Sequence, residues 1–504
     1  MTILVQIKKH YFLILILILA IILLSINLNK PFIGHHDWNG AFWGSQTRNY
    51  LNYLTSNSGE FNKQFKQIFF DHYTPLLPLI FTMSAFVFGL SEFSMRIVPL
   101  IFSIIMIIFI YKIGQEIYNN SVGLLAAALV TVTPIFIYFG KLPDHEPIVT
   151  SLITVTFYLY LISTKNNKAF FLYIFFLIIS FLESWPAFFL VPSLALFSFF
   201  VRKEKINKVL LPIVVAFLVI GFHLTLTTLI KGPENFKQFI SQGLFRIGQS
   251  NLQVGLQQFS LSDYFITEAH YAVIYYTRIL LILAALWLIY FLLRLRKKLV
   301  TVKESSLIIL LIYPLLFILT FKQLAYIHDY KLYHFLPFIG LSCANSAYLL
   351  SGKIKDILQK IGIKGKKYKI AGVVFCILIV SLVFIERMKF LNVLLKTSFN
   401  TPGYELGLLI KEKTSPQDAV LVNSNEFKAY FEVFVNYYSG RKVVYENIDL
   451  NNFKKEESNY KKFKYIISIE DRTIDPDIEN FLSRSFLSQQ QGPYTFFNMS
   501  QTLE

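Results

Sequence analysis

Apolar runs of about 15–20 residues recur along most of this chain, and the short polar stretches between them are where lysine and arginine gather. A run of that length buried in lipid has no water to satisfy its peptide groups, so it must be helical. The composition points the same way. Of 504 residues, 54% are hydrophobic and only 16% are charged, too apolar a balance for an ordinary soluble fold. The formal net charge of +17 does not indicate a nucleic-acid binder, because the cations sit at the ends of apolar runs, where anionic headgroups meet them. Cys343 and Cys376 both lie inside such runs and behave as small hydrophobes, so neither a disulfide framework nor a cysteine-based zinc site is readable.

A helix needs about 20 apolar residues to cross a hydrocarbon core of roughly 30 Å, and fewer when flanking side chains reach the interface. Candidate spans are residues 11–28, 97–110, 122–139, 147–162, 169–182, 185–201, 209–230, 271–293, 305–321, 332–350 and 370–385, about eleven in all. The first follows Lys8, Lys9 and His10 and has no A-x-A cleavage site, so it reads as a retained signal anchor. Residues 73–90 compete as a further span, and the positive-inside rule decides against them. With the N-terminus cytoplasmic and 73–90 lying along the outer interface, Lys112, Lys165, Lys168, residues 202–205, residues 294–298 and the lysine-rich stretch 353–369 all face the cytoplasm. A crossing at 73–90 would translocate every one of those clusters.

The expected architecture is therefore an all-α polytopic membrane domain over residues 1–388, including a first outer loop at 29–96 with interfacial helices. A small α/β extracytoplasmic domain follows at 389–504. The tail alternates a helix-like stretch at 403–413 with strand-like runs at 419–423, 442–445 and 464–469. The outer side also receives 140–146, 231–270 and 322–331, and it is there that the unusual polar chemistry collects.

The first outer loop opens with His35, His36, Asp37, Trp38, Asn39 and Gly40. A carboxylate this near the end of a span is partly screened from water, which suits a general base; alternatively Asp37 is a solvated cap before an aromatic belt. A second acidic site, Lys141 to Glu146 with Asp144 and His145, is squeezed between two spans almost without a loop. Charge held that close to lipid is costly and often functional, although a proline-punctuated hairpin would carry the same letters. A divalent metal is possible at these clusters, but their spacing matches no dedicated metal site. His72 begins the interfacial helix, and His328, Tyr330 and Lys331 precede the tenth span. Lys141, His328 and Lys331 can bind a phosphate carried on a lipid, or can simply snorkel to the interface. Arg278, deep within a span, is costly unless it is used, whereas His223 reads as a core histidine and Glu183 as an interface cap.

These residues stand in a familiar order. His36 to Phe42 leading to Arg48-Asn49-Tyr50-Leu51, then His72-x-x-Pro75-Leu76, resembles the opening of GT-C membrane glycosyltransferases, relatives of the protein O-mannosyltransferases and the lipid A aminoarabinose transferase. Ser91 to Arg96, Gly123 to Ala127, Thr133-Pro134, His145-Glu146-Pro147, Trp185-Pro186 and His328-Asp329-Tyr330 before Leu336-Pro337 continue the likeness to about residue 350. Two departures stand out. Asn39 and Gly40 follow the first acid where many relatives pair Asp with Glu, and Lys141-Leu142-Pro143-Asp144 replaces the commoner Arg-Glu-Ala.

The resemblance implies transfer of a sugar from a polyprenyl-phosphate donor to a lipid, glycan or protein acceptor on the outer face of the cell membrane, with inversion. Asp37, Asp144 and Glu146 are then the expected catalytic residues. His36, His72, Lys141, His145, Arg278, His328, Tyr330 and Lys331 are the expected substrate and phosphate contacts. A polytopic transporter or flippase of envelope lipids or glycans is the competing reading. It should place ionisable or Gly/Pro-broken segments at the midplane of two related halves, whereas here the acids gather at one face. A scaffold or sensor would leave the Asp37 and Asp144 regions without a purpose.

Overall fold

A computed structural model describes residues 3–55, 76–164, 166–248, 259–361, 366–399, 401–423, 429–470 and 475–503. The chain is mostly helical and divides into two compact units. One comprises residues 1–28, 52–89 and 93–395; the other comprises 29–51, 90–92 and 396–504.

Among the described residues, six helices are long and apolar enough to cross a membrane: Glu92–Ile117, His145–Ile162, Ile206–Lys231, Leu261–Arg296, Val302–Thr320 and Asp329–Lys360. Shorter apolar helices include Tyr11–Ser25, Leu76–Phe88, Asn120–Thr131 and Trp185–Val201. This is a multi-pass membrane protein. Leu76–Phe88, with 13 residues, rises about 20 Å. The apolar run 122–139 is not one helix. Pro134 cannot continue the preceding helix, so Asn120–Thr131 ends and Pro134–Phe139 begins anew with proline in its first turn.

Two features depart from the expected spans. Helix Leu261–Arg296 starts ten residues before the predicted 271, because Ser260 caps it through a reciprocal pair with Asp263. That helix is also broken at Thr277, whose φ of 66° is unusual for a β-branched residue. The amides freed after the break, those of Arg278 and Ile279, donate to the Glu386 carboxylate at 3.0 and 3.4 Å.

The second unit contains a five-stranded sheet of β1 (Ala419–Asn423), β2 (Lys442–Glu446), β3 (Tyr465–Ile469), β4 (Phe486–Gln491) and β5 (Tyr494–Thr502), in the order β2-β1-β3-β5-β4. β1 pairs in parallel with both β2 and β3, while β5 runs antiparallel to β3 and β4. Alternation along β1 and β3 serves two cores. Leu421 and Ile466 pack with Phe453, Leu482 and Phe497 on one face, and Val420, Val422 and Ile467 with Leu406, Val435 and Phe496 on the other. The three strands expected from sequence are present; β4 and β5 were not foreseen.

Residues 29–51 are built into this second unit. Helix Trp38–Thr55 carries Arg48, whose guanidinium donates to the carbonyls of Asn436 and Tyr437 at 2.9 and 2.5 Å. The Tyr438 hydroxyl accepts from the Phe32 amide at 2.5 Å and donates to Glu92 at 2.9 Å. Burial, and then the Glu92 charge, push that phenol well above its ordinary pKa, so it stays a donor. Phe32 and Tyr437 pack with ring centroids 5.3 Å apart, and glycine at 44 leaves the Tyr437 ring its space.

Candidate active site

The turn after Pro134–Phe139 places the second acidic cluster. Asp144 is the N-cap of His145–Ile162, its carboxylate accepting from the His145 amide at 2.8 Å. His145 and Glu146 therefore occupy the first turn of a helix that is buried almost all round. The His145 imidazole meets Glu183 at the end of helix Asn167–Glu183, Nδ1 to Oε1 being 2.8 Å. Glu183 is fully buried, so the two side chains form a desolvated carboxylate–imidazole pair.

Glu146 faces the segment Asp329–Phe335, a 3₁₀ helix that leads directly into Leu336–Lys360. There Lys331 makes an ion pair with Glu146, and its ammonium lies 4.7 Å from the Tyr330 ring centroid. Asp329 accepts from the Tyr275 hydroxyl at 2.6 Å, and the His334 ring bonds Thr150 at 2.8 Å. Ser103 ties turn to segment, donating to the Gly140 carbonyl at 2.6 Å and meeting the Tyr333 hydroxyl at 2.9 Å. Asp144, His145, Glu146, Glu183 and Lys331 thus sit almost entirely out of water, contributed by three separate helical elements. Five ionisable side chains at one site form a preorganised field that can hold a phosphate or move a proton.

The other expected residues fall as follows. Lys141 donates to the Ile26 carbonyl at the end of the first apolar helix. Tyr330 is buried, 5.8 Å from the Phe139 ring, and His328 lies 5.1 Å from Tyr330. Arg278 is not drawn into the cluster; its side chain is exposed and its amide serves the helix break. His72 lies outside the described residues. Asp37 and His36 belong to the second unit, where the 8% exposed Asp37 carboxylate accepts from the Gly34 amide at 2.8 Å at the start of Trp38–Thr55. His36 turns the chain there with a φ of 59°. Farther along the same helix, burial pushes the Tyr50 phenol up to about 12.

Residues 72–230 match the protein family described as dolichyl-phosphate-mannose-protein mannosyltransferase. No curated protein matches the chain in sequence. Among solved structures, ArnT from Cupriavidus metallidurans bound to undecaprenyl phosphate is similar over 97% of this chain and 98% of its own, with 10% identity and a TM-score of 0.64. The oligosaccharyltransferase AglB from Archaeoglobus fulgidus, in complex with an inhibitory peptide and a dolichol-phosphate, is similar over 98% of this chain and 74% of its own, with 14% identity and a TM-score of 0.59.

The chain has the GT-C fold.

In this GT-C chain the residues that sequence reading undervalued are Glu183, His334 and Glu268. Glu183 read as an interface cap, yet it is the partner of His145. His334 and Thr150 bond at 2.8 Å although 184 positions separate them in the chain. Glu268 falls where a loop was expected, and is buried two turns before Tyr275 in the same helix. Among the described residues of either unit taken by itself, no three His, Cys, Asp or Glu ligand atoms gather within 4.8 Å.

Proposed function

We propose that this protein is a membrane glycosyltransferase that moves a sugar from a polyprenyl-phosphate donor to a lipid, glycan or protein acceptor on the extracytoplasmic face of the cell membrane. The observation that carries the reading is the buried cluster of Asp144, His145, Glu146, Glu183 and Lys331 at the start of apolar helices in a GT-C fold. The undecaprenyl phosphate bound to ArnT and the dolichol-phosphate in complex with AglB support a donor of that class. Six long spans joined by residues 11–28, 122–139, 169–182, 185–201 and 370–385 give about eleven crossings, with the N-terminus in the cytoplasm. In this reading the first unit is the membrane transferase domain and the second is extracytoplasmic.

In this reading Lys331 exchanges its carboxylate partner for the departing lipid phosphate, a fair trade because both are anions in a low-dielectric setting. Asp144 and Glu146 orient the sugar, and the Glu183-bound His145 presents its other ring nitrogen to a substrate hydroxyl. Asp37 takes the acceptor's proton as general base, the role the family resemblance assigns, and attack opposite the leaving phosphate inverts the anomeric centre.

The test is transfer by purified protein from a radiolabelled polyprenyl-phosphate sugar pool, together with analysis of lipid-linked sugars and envelope glycans in a deletion strain. Loss of one specific sugar from an acceptor, with its lipid-linked donor accumulating, is the expected outcome. Unchanged glycans with a lipid intermediate trapped on the cytoplasmic side would instead identify a flippase. Cysteine labelling that found positions 37 and 144 accessible from opposite sides of the bilayer would defeat the shared-site mechanism.

A further inference from the structure

The first unit contains a cavity of about 490 Å³ that has no part in the chemistry above. It lies between Leu261–Arg296 and Leu336–Lys360, and its lining includes Leu286, Tyr290, Tyr348, Lys353, Lys355 and Asp356. From Leu336, next to the Lys331 segment, to Lys353 the helix rises roughly 25 Å, close to one hydrocarbon thickness. The cavity therefore opens at the opposite membrane face from the Glu146–Lys331 pair.

Its chemistry is two-sided. Leu286 and its leucine neighbours at 349 and 350 give it an apolar wall. At the other side stand two lysines against one aspartate, and neither lysine makes a hydrogen bond or ion pair among the described residues. The neighbouring cation is already used, since Arg294 binds both oxygens of Glu304 at 2.6 Å. The serines at 346 and 351 donate to the Leu283 and Tyr348 carbonyls, which leaves the lysines and tyrosines to serve an incoming anion. Gly372 of helix Lys366–Glu386 is what lets the Lys355 stem fit, for a Cβ there would strike it.

We propose that this cavity binds the phosphate headgroup of an anionic phospholipid from the leaflet opposite the candidate active site. A free phosphate would gain nothing from the leucine wall, whereas a lipid presents an anion and an acyl chain together, which is the pairing the cavity offers. The inference is independent of the proposed reaction and requires only that the helices be embedded.

The experiment titrates the purified full-length protein in detergent with phosphatidylglycerol, with phosphatidylcholine of the same acyl chains, or with inorganic phosphate, and reads the first bound lipid by native mass spectrometry. Phosphatidylglycerol is expected to bind about tenfold more tightly than phosphatidylcholine. The double variant Lys353→Ala/Lys355→Ala should erase that preference. Gly352→Phe, at a position where a Cβ meets open space, should block the cavity without changing charge and weaken phosphatidylglycerol by a similar factor. Lys297→Ala/Lys298→Ala removes equal charge from an exposed basic cluster and should leave the preference intact. The proposal is overturned if the preference survives the Lys353/Lys355 change, if the Lys297/Lys298 change abolishes it equally, or if inorganic phosphate displaces the lipid.

Discussion

Lys331 and Glu146 meet as an ion pair with side chains only 8% and 1% exposed, joining the 3₁₀ segment Asp329–Phe335 to the first turn of His145–Ile162. Removing either partner strands a charge out of water, at a cost of roughly 3–5 kcal/mol. Lys331→Met and Glu146→Gln alone should each lower the unfolding temperature in detergent. The double variant should recover much of that stability, yet Lys331→Met should cut transfer by about 100-fold or more in either background. A double variant as unstable as the worse single one would show that the pair is not an isolated couple.

Glu183→Gln keeps the size and an acceptor oxygen opposite His145 but withdraws the charge. A charge-assisted hydrogen bond contributes about 1.5–3 kcal/mol, so transfer should fall roughly 10- to 100-fold. The unfolding temperature should fall as well, and chemical shifts of a labelled His145 should report the altered ring. Normal turnover with a normal imidazole signal would remove Glu183 from the site.

Asp37→Asn should abolish transfer while insertion and folding persist. The asparagine oxygen can still accept from the Gly34 amide, so the start of helix Trp38–Thr55 keeps its bond. Activity in that variant would exclude Asp37 as the base. Asp37→Glu separates charge from position, and should retain only a small residue of activity.

Tyr438→Phe deletes the hydroxyl that serves both Phe32 and Glu92, leaving a buried amide without its acceptor. The expected loss is about 1–3 kcal/mol, concentrated in the second unit. Hydrogen exchange should accelerate over residues 29–51 and leave His145–Ile162 unchanged. Gly44→Ala, which would push a methyl into the Tyr437 ring, should produce the same pattern.

The six long apolar helices were legible because lipid imposes one rule on every peptide group, and hydropathy reports it directly. Two strands of the tail, β1 and β3, were legible for a related reason: both are almost wholly buried and read as short, largely apolar runs. β4 escaped notice because Phe486–Gln491 is largely exposed and glutamine-rich, so only its pairing with β5 makes it a strand. The break at Thr277 has no glycine or proline to announce it, and Glu386, which satisfies the freed amides, is over a hundred residues away. The acids of the turn 140–146 were visible from their squeeze between two spans. Lys331 was expected as a phosphate contact though not as the partner of Glu146, and nothing local in Glu183 distinguishes a cap from a residue that meets His145 38 positions earlier.

The bond from Phe32 to Tyr438 spans 406 residues of chain. A ribosome adding about 5–20 residues per second needs roughly 20–80 s to make that stretch. The segment carrying Asp37 is thus made well before the residue that anchors it, and this bond waits until Tyr438 has been synthesised. A newly inserted molecule would anchor its candidate base only after residue 438 has emerged, which delays any competence to react until then.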